Sequence, residues 1–140
     1  MIKKSLSLLI TLMFSMTLMA VESEKLEVKV LAKTTQSWNA DTLPAYPEGQ
    51  PQVTILRIVI PSGMQLPLHK HPVINAGVLL KGQLTVITEN KEIFYMKAGD
   101  SIVELVNKWH YGKNEGNEPA EIIVFYAGTK DQAITVKKEQ

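Results

Sequence analysis

A chain of 140 residues, 45% hydrophobic and 21% charged, has room for one domain around one core, and it carries no low-complexity tract. A formal net charge of +1 without a basic face excludes an electrostatic nucleic-acid surface. The lack of cysteine excludes disulfides, thiol nucleophiles and thiolate metal sites, so the fold must rest on packing.

In chain order, the first segment is MIKKSLSLLITLMFSMTLMA, residues 1–20. Lys3 and Lys4 precede an uncharged apolar run that ends on the small residue Ala20, which is the pattern of a cleaved signal peptide. Ser23 offers a competing cleavage position. The run is marginal in length for a bilayer anchor, which needs about 20 apolar residues. The expectation is export to the periplasm or the medium, with a mature form that does not span a membrane. Losing residues 1–20 leaves 13 basic and 14 acidic side chains, a net charge of −1.

Residues 21–50 read as an N-terminal strand and loop. EVKVLAKT (27–34) alternates loosely and predicts the strand, while TQSWNADTLPAYPEGQP (35–51) is rich in turn formers and predicts an irregular loop. Over 51–140 come VTILRIVI (53–60), INAGVLL (74–80), QLTVIT (83–88), EIFYMK (92–97), SIVELV (101–106), EIIVFYA (121–127) and AITVK (133–137), separated by turn signals. Short strands at this spacing predict an all-β class with one small antiparallel β-barrel or jelly roll. Several strands are apolar on both faces, as expected if one face lines the interior and the other packs on a second sheet or subunit. A homodimer is the expected state.

The chain has three histidines. His69 and His71, in PLHKHPVINAG, are two apart, so an extended backbone points both the same way. His110 lies in NKWHYGKN, where a folded-back sheet can return it to the first pair. Three neutral imidazoles on one side of an ion leave its other positions open, as in a catalytic site. The competing reading is that the histidines only pack.

The stretch GMQLPLHKHPVINAGVLLKG resembles the first motif of the cupin superfamily, with Gly63, His69, His71 and Gly82 in place and Asn75 in the slot usually held by Glu. GDSIVELVNKWHYGKN resembles the second motif through Gly99, His110 and Asn114, with Leu105 and Asn107 replacing the usual Pro and Gly. The resemblance, carried by residues 63–114, implies a cupin-like β-barrel domain over 51–140. It also implies a mononuclear metal held by His69, His71 and His110.

Asn75 offers only a neutral carbonyl oxygen, so it is expected as a weak ligand or a partner of metal-bound water. It shares a face with His69 and His71 only if the strand runs unbroken through Pro72. Such a site disfavours Mg²⁺ and Ca²⁺ and leaves a divalent transition metal: Fe, Zn, Ni, Mn or Cu. Glu104 and Tyr126 are the acid–base candidates, although a lone carboxylate in an apolar strand more often marks an exposed face or an ion pair. Trp109, Tyr111 and Lys70 are expected to face away from the site, and Asn114 to fix a turn.

The leading expectation is an exported cupin-like metalloprotein acting on a small molecule. Dioxygenase chemistry on an enolic, phenolic or thiol-bearing substrate fits the triad best, with isomerase or lyase chemistry as a variant. The alternative is a non-catalytic module that binds a small ligand or a metal ion.

Overall fold

Alternation with period two organises the chain. In VTILRIVI the side chains of Leu56, Ile58 and Ile60 turn inward while Ile55, Arg57 and Val59 stay exposed. The computed structural model describes residues 25–139, so the expected signal peptide and both cleavage positions lie outside the described residues. Nine strands follow in order: β1 (Pro51–Ile60), β2 (His69–Lys70), β3 (Ile74–Lys81), β4 (Gln83–Thr88), β5 (Ile93–Lys97), β6 (Ser101–Val103), β7 (His110–Lys113), β8 (Ala120–Thr129) and β9 (Val136–Lys137). The described residues include no helix long and apolar enough to cross a membrane.

The strands form two antiparallel sheets, ordered β1-β8-β3-β6 and β5-β4-β7-β2-β9. They make an all-β jelly roll, and no strand ladder among the described residues closes the two sheets into one barrel. The core lies between them. Ile60, Leu79, Ile122 and Val124 come from the first sheet, and Leu84, Val86 and Met96 from the second. The longest pairing, β1 with β8, runs in register from Pro51↔Thr129 to Ile60↔Ala120.

The strand expected over 27–34 does not form. Leu26 and Val28 are 92% and 80% exposed, and no strand pairs with this segment. Alternation yields a strand only where a ladder and a packed face receive it. The following loop is tied down by the Trp38 backbone N–H donating to the Val103 carbonyl at 2.9 Å and by the Trp38 ring stacking on Phe94. Two expected strands are shorter than their apolar runs. That over 101–106 stops at Val103, and that over 133–137 comprises only Val136–Lys137.

Tight connections hold the register. Gly82, between β3 and β4, has φ +74°, and a Cβ there would lie 2.8 Å from the Pro119 carbonyl oxygen. Asn107, in a place where the second motif usually has Gly, adopts φ +57°, which asparagine tolerates better than most residues. Asn114 is fully buried. Its amide donates to the Ile60 and Glu118 carbonyls at 3.0 and 2.8 Å, and its Oδ1 accepts from the Gly116 N–H at 2.9 Å. It joins the end of β1 to the β7–β8 turn, as a turn-fixing role requires.

Removing that side chain would take a partner from the buried Ile60 carbonyl and from the part-buried Glu118 carbonyl and Gly116 N–H. Asn114→Ala should therefore cost about 2–4 kcal/mol and lower Tm by roughly 10 °C. Differential scanning calorimetry checks this; an unchanged Tm would mean that water replaces the amide at no cost.

Candidate metal centre

The local sequence explains why so short a strand carries two histidines. Pro67 and Pro72 bracket LHKH, limiting the ladder that this stretch can extend in either direction. β2 lies between β7 and β9, and its register sets His69 directly opposite His110. His71 follows on the same side, where its backbone bridges Val106 and its carbonyl accepts from the Asn107 N–H at 2.8 Å. The three rings meet with centroid separations of 5.0, 4.6 and 5.1 Å. One ligand atom from each lies within 4.8 Å of the other two.

Each imidazole is oriented by the main chain. Nδ1 lies 2.7 Å from the Pro67 carbonyl in His69, 2.8 Å from that of Ile134 in His71, and 2.9 Å from that of Lys108 in His110. A carbonyl only accepts, so each Nδ1 carries the proton and each Nε2 keeps its lone pair for an ion. Thr135 Oγ1 also lies 3.2 Å from His71 Nδ1. No sequence motif marks these partners, because three of the four are backbone atoms.

Burial keeps the rings neutral. Desolvation lowers the pKa of all three, that of His71 to about 4, and outweighs the Nδ1 hydrogen bonds that favour the charged form. Neutral imidazole is the form that binds metals. His110 Nε2 is buried without a hydrogen-bond partner, as is Glu104 Oε2, 3.6 Å away. Two orphaned buried donor atoms beside two further Nε2 lone pairs fit a metal ion.

The histidines lie in the wall of a cavity of about 320 Å³, within the range of small-molecule sites. Most of the remaining wall is apolar, including Leu56, Ile58, Leu66, Leu84, Val86 and Val124. Glu104 and Tyr126 both reach this cavity. For Glu104 the exposed-face expectation is corrected: it shares the inward face of Ile102, and the chain leaves β6 after Val103 so that Leu105 is buried too. Burial pushes the Glu104 carboxyl up to about 7, against an opposing pull from His69. Tyr126 packs 5.3 Å from the His71 ring, and desolvation pushes its phenol up to about 12.

Asn75 comes from a different sheet than His69 and His110. The chain breaks at Pro72, β2 and β3 belong to opposite sheets, and Asn75 faces inward from β3. Its amide reaches only the Val73 carbonyl, at 3.4 Å, its Oδ1 has no partner, and it is absent from the described cavity wall. Lys70 and Trp109 do face away: the Lys70 ammonium lies 5.0 Å from the Trp109 ring centroid, with Lys138 at 5.5 Å. Tyr111 is likewise outside the cavity wall.

These groups set the pH response of the metal-free chain. Below about pH 6.5 the unfolded chain takes up a proton at His71 that the folded chain refuses until about pH 4, so stability falls with acid over that window. Glu104 acts oppositely: between about pH 4.5 and 7 the folded chain keeps a proton that the unfolded chain has released, so stability falls as pH rises. Glu104→Gln removes only the second effect. In chelator, it should gain up to about 3 kcal/mol on wild type between pH 4.5 and 7, read from urea unfolding at each pH. Parallel curves would mean that Glu104 ionises as freely in the folded chain as in the unfolded one.

Comparison with known proteins places this arrangement. A family model for the cupin domain matches residues 56–126, just over half of the chain, while a search of curated proteins finds no match. Among solved structures, a conserved protein with a double-stranded β-helix domain from Klebsiella pneumoniae aligns with TM-score 0.52 and 19% identity, covering 67% of this chain and 89% of that one. DMSP lyase from Ruegeria pomeroyi aligns with TM-score 0.54 and 20% identity, covering 61% of this chain and 43% of the lyase. Oxalate oxidase, in complex with the substrate analogue glycolate, aligns with TM-score 0.51 and 24% identity, covering 61% of this chain and 45% of the oxidase. The aligned part thus spans under half the length of each of these two enzymes, and the likeness concerns the fold. With both histidine motifs inside the matched residues, this chain belongs to the cupin family.

Proposed function

We propose that this cupin is an exported, metal-dependent dioxygenase acting on a small, mostly apolar molecule with one enolic, phenolic or thiol donor. The observation that carries the reading is the set of three oriented histidine Nε2 atoms opening into an apolar cavity of about 320 Å³. When bound, a divalent transition metal supplies a Lewis-acidic or redox-active centre for the substrate's donor atom and for O₂. O₂ is the oxidant and both its atoms enter the product, so no external reductant is needed.

The side chains divide the remaining work. The aliphatic wall binds the substrate's body and excludes water, which strengthens the polar interactions inside. Tyr126 keeps its proton at neutral pH and can donate a hydrogen bond to a substrate oxygen. Among the described wall residues, with the histidines neutral, Lys137 is the only cation, which favours a substrate with little negative charge. Export rests on the Lys3–Lys4 and apolar-run pattern of residues 1–20.

The outer face of the first sheet supports a homodimer. Register places Ile55, Phe125 and Ala76 in one row and Val53, Ala127 and Ile74 in the next, an apolar patch directed away from the core. A second copy would cover it by a two-fold pairing.

Metal analysis of the chain purified untagged from the exported fraction tests the reading, with intact mass reporting whether it begins at Val21 or Glu24. Wild type should hold one transition-metal ion per chain, and His110→Ala should lose at least about 90% of it. The iron-loaded protein should consume O₂ with a phenol or thiol and place label from ¹⁸O₂ in the product. Saturable binding without turnover would transfer the site to the binding-module reading, and no metal after reconstitution would overturn both. In light scattering the mature chain should have the mass of two subunits, and Ile55→Lys with Phe125→Lys should halve it. A wild-type monomer would refute the dimer.

A further inference from the structure

The motif position that would hold a carboxylate is Asn75, yet a carboxylate does approach the histidines from another strand. Glu104 follows β6, which pairs with β3, and its N–H donates to the Asn75 carbonyl at 3.0 Å. Leu105 after it is fully buried, and Val106 bridges the His71 backbone. The segment 104–106 is therefore fastened to β3 at one end and to a histidine at the other. Glu104 reaches the cavity wall and Asn75 does not.

Two atoms then face each other unsatisfied. Glu104 Oε2 and His110 Nε2 are both buried, both without a hydrogen-bond partner, and 3.6 Å apart. That separation is too long for a strong mutual hydrogen bond. It is close to the roughly 3.0–3.5 Å between two donors that each bind one ion at about 2.0–2.2 Å. A buried carboxyl oxygen with no partner is costly, and a cation beside it removes that cost.

We propose that Glu104 is the fourth protein ligand of the metal, giving the ion the anionic oxygen that Asn75 cannot supply. The proposal rests on the three-histidine reading above. In this arrangement Asn75 is a positioning residue, holding the Glu104 backbone through its main-chain carbonyl. The donor set becomes three imidazoles and one carboxylate, which retains one more negative charge near the ion. It also moves the site towards ions that accept mixed nitrogen and oxygen donors.

Zn²⁺ competition against a chromogenic chelator, with Co²⁺ absorption as a reporter of the donor set, tests this on the full mature chain. If Glu104 is a ligand, Glu104→Gln should bind Zn²⁺ about 100-fold more weakly than wild type and show an altered Co²⁺ spectrum. Asn75→Ala should stay within about threefold, and His110→Ala should lose binding. If wild type binds, His110→Ala does not, and Glu104→Gln matches wild type in affinity and spectrum, the proposal is overturned while the three-histidine reading survives. No Zn²⁺ binding by wild type overturns both. Far-UV circular dichroism of the metal-free variants separates lost ligation from lost folding. Should Glu104→Gln not fold, Glu104→His decides: affinity within about tenfold of wild type supports a donor at 104, and loss as complete as in His110→Ala overturns it.

Discussion

Strand β2 is only two residues long, and the rest of the site follows from its register with β7. That register places His69 opposite His110 and carries His71 into the same wall. Antiparallel neighbours hold side chains about 5 Å apart on one face, so a single cross-strand pair brings together imidazoles separated by some forty residues of chain. The strand has little cohesion of its own. It is held by β7 on one side and β9 on the other, and by the Asn107–His71 backbone hydrogen bond beyond its end.

Desolvation is the second constraint, and it acts on the three histidines, Glu104 and Tyr126. It lowers the histidines and raises Glu104 and Tyr126, so the metal-free site favours neutrality although five of its groups can ionise. The three Nδ1 hydrogen bonds orient the rings without satisfying Nε2. The three Nε2 lone pairs would hold a divalent ion, and its charge would offset that of the buried carboxyl beside them.

Fold and site connect through the loops between the sheets. The β2–β3 connection crosses from one sheet to the other within Pro72 and Val73, so Asn75 comes from the sheet opposite His69 and His110. The connection after β6 instead carries Glu104 inward, and Asn107 turns the chain with a left-handed φ before it enters β7.

The sequence by itself determined the all-β class, most of the long strands and the histidine triad. Each depends on local periodicity or on residue types too rare in this chain to be incidental. Tertiary structure decided the rest. EVKVLAKT has the alternation of a strand but no neighbour to pair with, whereas HYGK has little pattern and becomes β7 because β4 and β2 flank it. Glu104 read as an exposed or ion-paired carboxylate because a lone acid in the apolar run SIVELV usually faces water, and nothing local shows that the face it shares with Ile102 is the buried one. That Asn75 faces inward from the sheet opposite His69, and that its carbonyl holds the Glu104 N–H, depends on a sheet crossing at Pro72 and on a pairing between distant strands. Spacing along a chain carries neither kind of information, because both arise only when two sheets pack face to face.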